Sequence, residues 1–369
     1  MAQLQNVPSR SKPQEYDERI QKLGPRIRTM FAASPPDEFS PRGYKLIVID
    51  LSQLELRLGA QFTKDPTLQD VYKRCVEVNG MLFYIGDIHA ETAKRMGVPR
   101  KLAKNLNFGL MYGMSPASFA RYAKLYLPGT KTYDVRSAEK YVQSFRNTYA
   151  GVFNYHEKLR RRWNREGQRS YLMISGRYRH FPKWARVSPG TVYNSKIQGS
   201  AADIMKVQLW AIDKWILSNP EFAGLKPLIQ VHDEFIFEVP KPIAQKAAVA
   251  LKYVMEYPFF VTDVPLLASA KVCQNWSAKD DDDIPEVGAF YARIDGKDRL
   301  FRPNQWKDYL AVEDKAEQKS CVAMLSPKQS AWARSLLPET TPVFGKRVRG
   351  MSVMPLEEYK KRRKKERDS

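Results

Sequence analysis

Two aspartates, Asp50 and Asp233, each stand at the end of a short apolar run, 183 residues apart. Asp50 follows Leu46-Ile47-Val48-Ile49, and Asp233 lies between Leu228–Val231 and Phe235–Val239. A carboxylate at the edge of a buried sheet is costly unless it is paired, hydrated or bound to metal. Two that reach one edge could hold a pair of Mg²⁺ ions about 4 Å apart, the arrangement used for phosphoryl transfer. Mg²⁺ suits such a site because it takes hard oxygen ligands and keeps positions for a substrate's phosphates. The same spacing also fits a plainer arrangement, with Asp50 capping a following helix and Asp233 as a polar turn residue. A second candidate group is Arg100, Lys104, Phe108 and Tyr112, spaced by four. On a helix these form a slowly drifting stripe of two cations and then two rings. A triphosphate could lie on the cations and a base on the rings, with Gly109 and Gly113 leaving room at the far end. An amphipathic surface helix with its two aromatics tucked inward is the alternative.

These groups need elements to carry them. The run Leu46–Ile49 reads as a buried strand, and from Ser52 the period changes to four, with Leu54, Leu58 and Phe62 on one helical face. Residues from about 65 to 165 are mainly helical in pattern, with a helix starting near Arg100 just after Pro99. Another helix is expected over Ser137–Arg165, broken near Ala150-Gly151. Gln198–Trp215 reads as a helix bearing small residues. Leu228–Val231 and Phe235–Val239 form a hairpin signal without an Asn-Gly turn. A helix over Pro240–Tyr257 and a strand over Leu266–Val272 close this part. The first 45 residues are polar and proline-rich, with one possible helix over Tyr16–Leu23.

The chain has 369 residues with 61 Lys and Arg against 40 Asp and Glu, a formal charge of +21. This points to a polyanion as partner. No apolar run approaches the ~18 residues of a membrane span and no signal-peptide pattern opens the chain, so nucleic acid leads over acidic lipid. The three cysteines argue against a disulfide framework or a Cys-rich zinc site and fit a reducing, cytoplasmic compartment. The run Asp280–Asp283 marks a boundary, beyond which residues 284–369 carry +7 of the charge. Lys360–Arg367 reads as solvated.

In order along the chain, several segments resemble the motifs of the family A DNA polymerases, the DNA polymerase I type. Asp50-Leu51-Ser52-Gln53-Leu54-Glu55-Leu56-Arg57 resembles motif A, Arg100–Gly113 motif B, and Val231-His232-Asp233-Glu234 motif C. Leu4–Pro8, Arg26–Arg28, Asp87–Thr92 and Gln198–Asp203 fill the gaps, so that the resemblance covers residues 3 to about 278. It implies an α+β fold, the right-hand polymerase architecture with an antiparallel palm sheet and mainly helical fingers. The palm would comprise residues 1–60 and 190–283, and the fingers 61–189. Residues 284–369 would be a basic C-terminal extension of unknown role.

The resemblance further implies a DNA-templated DNA polymerase that extends a primer with deoxynucleoside triphosphates by two-metal nucleotidyl transfer. Asp50, Asp233 and Glu234 would be catalytic. Asp50, the Leu51 carbonyl and Asp233 would bind two Mg²⁺ ions. Ser52, Gln53, Glu55, His89, Arg100, Lys104, Phe108 and Tyr112 would line the nucleotide. Glu55 would exclude a ribose 2′-hydroxyl, and Tyr112 would hold the template-base position until the fingers close. Phe at position 108 goes with resistance to dideoxy termination. Gly113, Ser115, Asn194, Gln198 and His232 would contact primer–template DNA. The thumb and any exonuclease domain would lie on a second polypeptide, as in half of a split bacteriophage polymerase acting in the host cytoplasm, or the chain is a fragment of a longer one. Two departures from the family pattern are an insertion around Ser9–Gly24 and Gly190, where relatives often carry Arg. The competing readings are a catalytically inactive DNA-binding replisome component and a single-subunit RNA polymerase.

Overall fold

The computed structural model describes residues 26–78, 81–84, 86–126, 134–257, 259–260, 263–280, 290–294, 297–303 and 352–355. The expected helix over Tyr16–Leu23, the insertion around Ser9–Gly24 and the solvated run Lys360–Arg367 lie outside them.

A four-stranded antiparallel sheet is the frame. It is built from β1 (Tyr44–Leu51), β6 (Lys226–Val231), β7 (Glu234–Pro240) and β8 (Ala268–Cys273) in the order β6-β7-β1-β8. β1 is central, which explains why its sequence is apolar without alternation: both faces are covered. Ile47, Ile49 and Leu51, with Phe235, Phe237 and Val239, belong to the main core shared with the helices. Leu46, Val48, Ile236, Cys273 and Trp276 pack a smaller core on the opposite face. Each such fully buried aliphatic or aromatic side chain contributes about 1.5–3 kcal/mol by leaving water.

The helices of the intervening segment begin where the sequence supplies caps. α1 spans Leu54–Thr63. Asp65 accepts from the Leu68 N–H at 2.9 Å to start α2 (Pro66–Lys73), with Pro66 in the first turn, where its missing N–H costs nothing. Asp87 caps α3 (Ile88–Met96) through the His89 and Ala90 amides. α4 covers Arg100–Met111 and α5 Pro116–Tyr126. α6 (Val135–Thr148), capped by Asp134, and α7 (Ala150–Asn164) are separated at the expected break. There Gly151 lies so near Asp65 that a Cβ would stand 2.7 Å from the Asp65 Cα, and the Gly151 N–H donates to the Asp65 carboxylate at 2.8 Å. A short hairpin, β4 (Ser170–Leu172) and β5 (Tyr178–His180), leads to α8 (Pro189–Ser218), capped by Ser188. α8 is longer than the expected Gln198–Trp215. α9 is Ala244–Glu256, shorter than expected, because Lys241–Ile243 around Pro242 forms a 3₁₀ turn instead.

The stretch expected to be mainly helical is so, with one exception. Within the stretch read as helical, β2 (Arg74–Val78) and β3 (Met81–Tyr84) form an antiparallel ribbon. It is extended by β9 (Phe290–Ile294), β10 (Lys297–Pro303) and β11 (Ser352–Pro355) into a five-stranded sheet of order β11-β2-β3-β10-β9. Val76 and Val78 in one run and Phe83 and Tyr84 in the other favour a strand, and pairing with residues more than 200 positions away decides the matter over local helical period. Among the described residues no helix is long and apolar enough to cross a membrane.

Candidate active site

Sheet register assembles the carboxylates. Asp50, next to last in β1, sits opposite Glu234 on β7 and Ser269 on β8. The two-residue turn His232-Asp233 joins β6 to β7, and the Leu51 N–H donates to the Asp233 carbonyl at 3.0 Å. His232 takes a left-handed φ of 54°, which lets this turn close without a glycine. Asp50, Asp233 and Glu234 therefore share one end of the sheet. By alternation Asp50 and Glu234 lie on the face of Leu46, Val48 and Ile236, away from the main core. Burial holds the Asp233 carboxyl above the usual range; its own backbone N–H opposes this, and the neighbouring Glu234 charge adds to it. Glu234 is buried, and its Oε1 accepts from the Trp276 indole N–H at 2.7 Å. Trp276 is itself enclosed, with the Arg28 guanidinium 4.2 Å over its ring and Phe31 edge-on at 5.5 Å.

α4 presents the cation-and-ring stripe outward. Leu102, Ala103, Leu106 and Leu110 are buried on its inner face, while Lys104 is exposed and Phe108 half-buried. Arg100 pairs with Asp87 at 2.8 Å. Phe108 lies 6.1 Å from the His89 ring. His89 is buried, and burial pulls its imidazole down to about 4, against the nearby Asp87 charge. The ring is therefore neutral at pH 7. The Asn107 amide stands 2.9 Å from its Nδ1. With Asn107 donating there, the ring proton sits on Nε2 and can be given to an acceptor such as a phosphate oxygen.

Tyr112 ends α4, and its hydroxyl donates to Glu55 on α1. Burial, then the Glu55 charge, hold that phenol well above its ordinary range. Its ring meets Tyr193 at 5.9 Å. Gln53 takes a left-handed φ of 56° ahead of α1 and accepts from the Tyr72 hydroxyl at 3.0 Å. Ser52 is held through its backbone, its N–H on Leu267 and its carbonyl on Arg57. Gly113 has a φ of +87°, and Ser115 caps α5 through the Ser118 N–H.

The first half of α8 lines the same region. Gln198 is exposed, and Asn194 is half-buried with an Oδ1 that finds no hydrogen-bond partner among the described residues. Gly190 has a packing reason of its own: a Cβ would stand 2.7 Å from the Tyr112 carbonyl oxygen, so no larger residue fits while α4 ends there. Trp276, Asn107, Asp87 and Tyr193 are supporting residues that sequence reasoning missed. Only Asp87, directly before a helix, carried a local signal, that of an N-cap.

The donors at the sheet edge are all oxygens, which fits Mg²⁺ better than a soft metal. Among the described residues no three or more His, Cys, Asp or Glu converge as a closed protein cage. Two carboxylates with the remaining positions left to substrate phosphates is the way Mg²⁺ is commonly held.

Comparison with known proteins follows the same line. The model of DNA polymerase family A matches residues 2–278. DNA polymerase I of Pseudomonas aeruginosa is 31% identical over 288 residues, covering 74% of this chain and 27% of that protein. The thermostable DNA polymerase I of Thermus aquaticus is 34% identical over 298 residues, covering 75% and 30%. Among solved structures, the POL domain of Pol1 from M. smegmatis, in complex with DNA primer-template and dNTP, aligns with a TM-score of 0.57 at 26% identity, covering 74% of this chain and 44% of that one. The chain thus spans less than a third of the length of these two curated relatives. A family match over most of the sequence, a similar fold and motif residues gathered at one sheet edge make this chain a member of DNA polymerase family A.

Proposed function

We propose that the chain is the palm and fingers part of a DNA-templated DNA polymerase, extending a primer 3′ end with deoxynucleotides. The observation that carries this is the placement of Asp50 opposite Glu234, with the Asp233 turn hydrogen-bonded to Leu51, in a chain of this family. Asp50, Asp233 and the Leu51 carbonyl would hold two Mg²⁺ ions. When bound, such ions acidify the primer hydroxyl and offset charge on the leaving pyrophosphate. The chain's own groups do the rest. Arg100 and Lys104 would take the triphosphate, and Arg100 is already oriented by Asp87. His89 would donate from Nε2 to a phosphate oxygen. Phe108 would stack on the incoming nucleotide, beside Ser52 and Gln53. Glu55 would fill the space of a 2′-hydroxyl, and Tyr112 would stand in the template-base position while it is bonded to Glu55. Asn194, whose Oδ1 has no hydrogen-bond partner among the described residues, would accept from a groove edge of the nascent duplex, alongside Gln198, His232, Gly113 and Ser115.

The palm and fingers would divide near residues 60 and 189, with residues 284–369 as an extension. The remaining lobes of the relatives would be supplied within a longer chain or by a second polypeptide. Primer extension with Mg²⁺ tests the proposal. Asp50→Asn and Asp233→Asn should each lower it by at least about a hundredfold while DNA affinity stays within a few-fold. Full extension by either variant would overturn the assignment. Preferential use of ribonucleotides would redirect it to RNA synthesis.

A further inference from the structure

The β4–β5 hairpin has one face anchored and one face open. Tyr171 and Phe181 point inward and are buried, with rings 6.1 Å apart, and Trp163 packs on Phe181 at 5.6 Å. The hairpin tip is bolted to α8. Ser175 and Arg177 bond to Asp203 at 2.5 Å and 3.0 Å, and the Ile174 N–H donates to Ser200 at 3.1 Å. This fixes it beside Gln198 and Gly199.

The outer face carries the pairs Leu172–Tyr178 and Ser170–His180. Leu172 is 46% exposed and Tyr178 55%, and the Tyr178 and His180 rings stack, 6.1 Å apart at 23°. A tight turn follows, closed by the Ala185 N–H on the Pro182 carbonyl at 3.0 Å, and in it Trp184 is 84% exposed. Four residues of chain keep Trp184 within about 14 Å of His180. His180 is held by Ser170 Oγ at 2.6 Å from its Nδ1, and among the described residues nothing buries the Tyr178 or Trp184 ring.

The surrounding stretch of chain is also basic. From Gly167 to Ala202 there is no acidic residue, against six Lys and Arg. Lys183 and Arg186 are exposed and make no ion pair among the described residues, while Arg179, opposite Tyr171 in the register, lays its guanidinium 5.3 Å over the Phe181 ring. Cations interleaved with exposed rings suit a single-stranded nucleic acid. Its phosphates meet the cations and each unpaired base offers a face to stack. A duplex hides those faces, and an acidic protein surface would use the cations and leave the rings idle.

We propose that this outer face, with Tyr178, His180 and Trp184, is a stacking platform for unpaired bases of single-stranded DNA. Its occupant is the unpaired stretch of template, an assignment that rests on the chain being a template-copying enzyme. Titration of the full chain with a labelled short oligothymidylate, against a blunt duplex of equal length, tests it. Tyr178→Ala and Trp184→Ala should each weaken single-strand binding about tenfold and leave duplex binding within about twofold. Trp184→Phe should retain most of the affinity, and Lys183→Gln should lower the salt slope by about one. No loss on the oligothymidylate, or an equal loss on the duplex, would overturn the proposal. Displacement of the oligothymidylate by polyglutamate that binds more tightly would do so too, in favour of an acidic protein. Extension across a template overhang of one nucleotide should be unaffected in the ring variants. Absence of extension by the unaltered chain would count against the polymerase reading and leave the binding comparison decisive for the platform.

Discussion

The bond from Tyr112 to Glu55 joins two residues that the proposed mechanism requires to part, and Tyr112→Phe isolates it. The substitution keeps the ring against Tyr193 and the close approach of Gly190, and removes only the hydroxyl. A hydrogen bond to a charged group contributes about 1.5–3 kcal/mol. Glu55 is half-buried, so water replaces part of this and about 1–2 kcal/mol is left. The resting chain should lose that much stability in equilibrium urea unfolding. If a template base displaces Tyr112 when a nucleotide binds, the resting state loses the bond and the bound state does not. Nucleotide affinity on a dideoxy-terminated primer–template should then rise about 5- to 30-fold. Lost stability with unchanged affinity would show that Tyr112 stays in place during binding, and the gating argument would be refuted.

Other outcomes follow from the same geometry. Trp276→Phe keeps the ring under Arg28 but removes the donor to Glu234, so extension should slow about tenfold in kcat with little change in nucleotide KM; equal changes in both would mean a packing defect. For His89, the folded pKa of about 4 lies below the unfolded 6.5, so the unfolded chain takes the proton first as pH falls. Its contribution is complete above pH 6.5 and is lost on the way down to 4. That costs up to about 2 kcal/mol at pH 5, and His89→Gln should flatten this part of the urea midpoint against pH. Phe108→Tyr should relax resistance to dideoxy termination, read on a primer-extension ladder; an unchanged ladder would remove Phe108 from the sugar-contacting position.

Much of the frame was legible because it rests on local signals. The apolar run of β1 has no alternation because the strand is central, and the break between α6 and α7 falls where Gly151 meets Asp65. The hairpin around His232-Asp233 was legible from its β-rich flanks even without a glycine turn. The ribbon Arg74–Tyr84 was not, because its partners come from beyond residue 290. The site was legible in a different way. Spacing alone left Asp50 and Asp233 open to a capping and turn reading, and only the run of motifs around them pointed to a shared task. Contacts across the fold carried no local mark: Glu55 with Tyr112, Glu234 with Trp276, and His89 with Asn107 are pairs that register and helix packing create.

The sheet that joins β2 and β3 to β10 and β11 has a practical corollary for anyone shortening the chain. Residues 284–369 lie past the matched region and invite removal. Cutting there would strip both flanking strands from the ribbon and leave two bare edges. A lone two-stranded ribbon is marginal in water, and open edges recruit other chains. The ribbon leads within four residues into the helix that carries His89, so a trimmed version would be expected to clump and to loosen the nucleotide pocket together.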